Sequence, residues 1–92
     1  MRIKGIVRSG TLEENPPGSD QIEMTLKVQG VGAGQPRTLV IPYELLLGDQ
    51  SLDAEEVAGK GFEADAEEHG GRWIVSWIAL ATGRVLRREE GS

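Results

Sequence analysis

The sequence predicts a mainly-β domain of five strands with one short helix between the third and the fourth. Three observations predict it. Ile22, Met24, Leu26 and Val28 alternate with Glu23, Thr25, Lys27 and Gln29, a period of two that puts four apolar side chains on one face of a strand. Phe62, Ala64 and Ala66 alternate with Glu63, Asp65 and Glu67 in the same way. Between these runs, Leu52 to Gly59 carries the start and stop signals of a helix.

The first strand covers Arg2 to about Leu12, with Ile3, Gly5 and Val7 on one face and Arg2, Lys4, Ile6 and Arg8 on the other. It runs into Glu13 to Asp20, where two prolines, a glycine and turn-prone polar residues make a loop. The second strand, Ile22 to Gln29, is buried on one side only. Gly30 to Pro36 is a flexible connection, and the β-branched run Thr38 to Ile41 is a third strand stopped by Pro42. Tyr43 to Leu47 fits either an extension past a bulge or a turn of helix.

Asp53 is placed as N-cap. Glu56 then falls at N3, completing a reciprocal capping box, while Leu52 and Val57 form a hydrophobic staple. Gly59 sits at the left-handed C′ position. So short a helix holds only through packing of Leu52 and Val57. Phe62 to Glu67 is the fourth strand, Glu68 to Gly71 a hairpin turn, and Arg72 to Leu80 the fifth strand. Strict alternation puts Trp73, Val75, Trp77 and Ala79 on one of its faces and Ile74, Ser76, Ile78 and Leu80 on the other. Both faces are apolar, so one needs a cover: the helix, Tyr43 to Leu47, or another chain. The tryptophans read as core anchors. Thr82-Gly83 ends the strand, and Arg84 to Arg87 reads as a last short one. The single domain spans residues 1–88, with 89–92 a disordered tail.

Ninety-two residues hold one core, not two. The chain has no cysteine, which excludes disulfides and thiolate metal sites and suits a cytoplasmic setting. No segment approaches the roughly 20 apolar residues of a membrane-spanning helix. The net charge of −5 is unevenly spread, since residues 43–71 hold nine acids against Lys60 alone.

No residue pattern supports catalysis, a cofactor or a metal. Asp65, Glu67, Glu68 and His69 form a weak cation-site pattern, better read as a solvated strand face and an exposed turn. Asp53, Glu55 and Glu56 are accounted for by capping and the helix dipole. Ser51 and Ser76 lack a base partner. Gly30 to Gly34 leads into Gln-Pro-Arg and a strand, without the Lys-Ser/Thr and helix of a phosphate-cradling loop.

Strand, strand, strand, helix, strand, strand resembles the oligonucleotide/oligosaccharide-binding (OB) fold, a five-stranded Greek-key barrel; an SH3-like barrel is the alternative. The resemblance is one of architecture over residues 2–80. It implies a ligand face on strands two and three, normally with aromatic platforms and basic residues. Strand two offers no aromatic there. The possible ligand face is Arg2, Lys4, Arg8, Lys27, Arg37 and Tyr43. The expected function is therefore a small non-enzymatic binding or protein-interaction domain, using the acidic region Glu44 to Glu68 against a basic partner, or an apolar patch around Tyr43 to Leu47. Weak single-stranded nucleic-acid binding is the less favoured alternative. No ligand is assignable from the sequence.

Overall fold

A computed structural model describes residues 1–14, 17–31, 34, 36–48 and 52–87; the tail 89–92 and Ser51 lie outside them. The elements run β1 (Arg2–Glu14), β2 (Ile22–Gly30), β3 (Thr38–Ile41), α1 (Tyr43–Leu46), α2 (Ala54–Val57), β4 (Gly61–His69), β5 (Arg72–Leu80) and β6 (Val85–Arg87). The sheet order is β3-β2-β1-β4-β5-β6, and a parallel bridge between Val40 and Ile74 joins β3 to β5. The first five strands thus close into a small mixed barrel. All other pairings are antiparallel.

Long β1 belongs to both halves of the barrel. Its first residues, Arg2–Ile6, pair with β4, while Gly5–Glu14 pair with β2. At Gly5 the β2 backbone crowds in. A Cβ there would lie 2.1 Å from the Gln29 carbonyl oxygen and 2.8 Å from Gly30 Cα. Only glycine fits this close backbone approach. Two residues later the register shifts between Val7 and Ser9, leaving Arg8 as the extra residue of a bulge. There the Val7 backbone turns to the segment before β4, its N–H donating to the Lys60 carbonyl (2.9 Å) and its carbonyl accepting from Gly59 N–H (2.7 Å).

The core is apolar throughout, with no buried polar or charged residue among the described ones. Ile3, Met24, Leu26, Leu39, Ile41 and Ile78 are fully enclosed. Leu86 of β6 joins the same cluster, as do Leu45 of α1 and Val57 of α2.

Tyr43 to Leu47 resolves as a turn of helix, so two short helical turns connect β3 to β4. In the second, Asp53 is the N-cap, its side chain accepting from Glu55 N–H at 2.9 Å. Leu52 and Val57 are both buried as the staple requires, and Gly59 follows with φ +80°. The reciprocal half of the capping box is not formed. The Glu56 carboxylate instead takes a two-point contact from Arg84, whose Nη2 lies 3.1 Å from Oε1 and whose Nε donates to Oε2.

The strict alternation expected of β5 is also corrected. Asp65 pairs with Trp77 but Ala66 with Val75, so Ser76 is an extra residue and the facing of the strand inverts there. Trp73 and Val75 point inward before the bulge; Ile78 and Leu80 point inward after it. Trp77 is outside. Two apolar faces therefore arise from one bulged strand without an uncovered second face. β4 and β5 join through Gly70 and Gly71, whose φ values of +61° and +83° suit a two-residue hairpin turn of matching twist.

Candidate functional site

The six residues singled out in the sequence fall into three places. Arg2 and Lys4 stand on the outer side of β1 and converge on Glu63 of β4, at 2.8 Å and 3.5 Å from its two carboxylate oxygens. The hydrogen bond from Arg2 holds the Glu63 carboxyl below the usual glutamate range, and the charges of Lys4 and Arg2 act in the same direction against a raising effect of desolvation. These two cations share one carboxylate within the fold.

Arg8, Lys27 and Arg37 lie at the other edge of β1. The bulge presents Arg8 to solvent, where its Nη2 donates to Gln29 Oε1. Lys27 is exposed on β2 between its register partners Ser9 and Thr38. Arg37 enters β3 beside them, fixed by its carbonyl accepting from Val28 N–H at 2.9 Å. Arg8 and Arg37 line one open depression of ≈ 460 Å³, together with Gln29, Gly30 and Gly34. Among the described residues no carboxylate lines it. Ile6, 47% exposed and opposite Gln29, and Val31, 74% exposed and bonded through its N–H to the Lys4 carbonyl, flank this surface with aliphatic groups.

Tyr43 is not part of it. It begins α1 past the far end of β3, which starts near Lys27 and ends at Ile41 opposite Met24. The outer side of β2 and β3 carries Thr25, Lys27, Gln29, Thr38 and Val40, with no aromatic residue. Val40 is only 5% exposed between its partners Thr25 and Ile74. Arg72 Nη2 lies 2.6 Å from Glu23 Oε1, tying the start of β5 to the start of β2, the two strands flanking β3.

Several acids of the Glu44 to Glu68 stretch are engaged locally. Asp53 caps α2, Glu56 meets Arg84, Glu63 meets Arg2 and Lys4, and Asp65 lies 3.1 Å from the Met1 amino group. Glu67 lies 3.6 Å from His69 Nε2 at the hairpin. A second depression, of ≈ 270 Å³, runs between Pro42 and Glu44 on one side and Glu67, His69 and Ser76 on the other. Ser76 Oγ, in its wall, donates to the Asp65 carbonyl (3.2 Å). Among the described residues no group of three His, Cys, Asp or Glu side chains is arranged to hold a metal. No described helix is long and apolar enough to cross a membrane.

Comparison with family models, with curated proteins and with solved structures gives no significant match. The chemistry of the surface is therefore what remains to argue from.

The sequence pattern marked Arg8, Lys27 and Arg37 but not Gln29, Gly30 or Gly34, which complete the depression. The signal for Gln29 was its place on the polar parity of β2. The bulge that turns Arg8 toward it leaves no mark in a period-two reading.

Proposed function

We propose that this chain is a non-enzymatic binding domain of OB-like architecture that holds an acidic segment of another protein against the Arg8, Lys27 and Arg37 surface. One observation carries the reading. Among the described residues, Arg2, Lys4, Arg72 and Arg84 are each paired with a carboxylate, while Arg8, Lys27, Arg37, Lys60 and Arg87 make no ion pair. Three of those five share one surface, and a fourth, Lys60, is bonded through its carbonyl to Val7, the residue before Arg8. On a chain of net charge −5 this is a local cationic field, which steers and holds anionic partners.

The strand order, the β3–β5 closure and the helical connection before β4 support the OB-like architecture. A protein partner is favoured over a nucleic acid because the exposed apolar groups beside the cations are Ile6 and Val31. Aliphatic side chains match those of a peptide and offer no stacking platform to bases.

Fluorescence anisotropy with a labelled peptide of alternating aspartate and leucine, and with a labelled oligothymidylate, tests this. The peptide should bind, more weakly as salt rises, and Arg8→Ala with Arg37→Ala should weaken it by about tenfold, or about 1.4 kcal/mol. Absence of peptide binding at low salt, or tighter binding of the oligothymidylate, would overturn the proposal.

A further inference from the structure

We infer that the depression between Arg8 and Arg37 is an oxyanion subsite that takes a phosphate monoester carried by the partner segment. This rests on the reading above and goes further, naming the group recognised.

Local backbone structure sets where both arginines leave the chain. Arg8 is the unpaired residue of the β1 bulge, so its side chain is aimed by an irregularity of the ladder, and Gln29 Oε1 takes one of its N–H groups. Arg37 is held opposite Val28 by the hydrogen bond to its carbonyl. Both arginines line the depression, and among the described residues its wall includes no acid that would compete for their N–H groups. Gly30 and Gly34 contribute wall without side chains, and a Cβ on Gly34 would meet nothing within 4 Å.

Charge decides the ligand class. A carboxylate brings one negative charge to two guanidinium groups. A phosphate monoester brings about −1.5 to −2 at neutral pH, with three acceptor oxygens suited to planar N–H forks. A phosphodiester brings one charge and a chain leaving on both sides. The monoester is the group that neutralises both arginines, and phosphorylated segments are commonly recognised by arginine clusters.

The test replaces the central aspartate of the alternating peptide with phosphoserine and compares the two peptides on the same protein. The phosphopeptide should bind about tenfold tighter. Arg8→Gln or Arg37→Gln should remove that difference while leaving the thermal unfolding profile intact, since both side chains are exposed. Lys27→Gln should weaken both peptides alike and keep the difference, because Lys27 does not line the depression. Equal affinity for the two peptides would overturn the subsite and leave the binding of acidic segments standing. A phosphate preference that survives Arg8→Gln with Arg37→Gln would overturn it as well. If neither peptide binds, both readings fall.

Discussion

The guanidinium carbon of Arg2 lies 4.5 Å from the ring centroid of Trp77. The two residues stand on β1 and β5, and Asp65 of β4 is the register partner of both. Arg2 therefore reaches across a strand to cover an indole face while also donating to Glu63. A cation over an indole at a part-exposed site contributes about 0.5–1 kcal/mol.

Removing that cover should be visible in Trp77 itself. In a Trp73→Phe background, Arg2→Ala is expected to shift the emission of Trp77 to the red and to raise its quenching by acrylamide. Stability should fall by about 0.5–1 kcal/mol. An unchanged spectrum would mean that the ring is not covered by Arg2.

Glu63 should show the same contact through its titration. Its carboxyl is held low in the folded protein, so its contribution to stability is fully present above the unfolded glutamate pKa. That contribution is lost as pH falls through the lowered folded value. Arg2→Ala should move the Glu63 midpoint upward, read from the side-chain carboxyl carbon by NMR. A midpoint that stays in place would show that the Arg2 hydrogen bond does not hold it.

The bulge at Ser76 makes opposite claims about two neighbouring isoleucines. Ile78 is fully buried in the core, and Ile78→Ala should cost about 3 kcal/mol in denaturant unfolding. Ile74 lies on the outer side, half-buried, and Ile74→Ala should cost about 1 kcal/mol. Equal losses at the two positions would contradict the inverted facing.

Gly5 and Gly61 offer a matched comparison across β1 and β4. Gly5→Ala drives a methyl into the Gln29 carbonyl and should cost about 2–4 kcal/mol or prevent folding. At Gly61 the nearest atoms to an added Cβ are 3.7 and 3.8 Å away, an ordinary contact. Gly61→Ala should leave the thermal midpoint within a few degrees of the parent, about what a change of 1 kcal/mol or less produces.

At α2 the cap and the expected box partner separate. Asp53→Ala should lose about 1 kcal/mol, since the N–H of Glu55 loses its acceptor. Glu56→Gln and Arg84→Gln should be non-additive with each other, and each additive with Asp53→Ala, in a double-mutant cycle. Coupling between Asp53 and Glu56 instead would restore the reciprocal box.

Much of this arrangement is legible along the chain, because it depends on neighbours in sequence. The alternation of Ile22 to Gln29 needs only the pleat of a strand. The cap at Asp53, the staple of Leu52 and Val57, and the turn at Gly70-Gly71 are set within a few residues of themselves. The strand and helix order follows from these, and with it the small barrel. Arg8 and Arg37 were likewise marked as part of a basic face.

What tertiary structure decided are the places where a distant strand intervenes. The side on which Trp77 stands depends on a bulge against β4, and a single extra residue inverts every side chain beyond it. Whether Glu56 serves its own helix or Arg84 depends on where the chain returns after β5. The basic face expected from sequence was divided in the same way. Glu63 sits opposite Lys4 and takes it together with Arg2, whereas among the described residues no carboxylate lines the wall beside Arg8 and Arg37. Local pattern determined most of which residues face outward; the register between β1, β2 and β4 decided which of their charges meet a carboxylate within the fold.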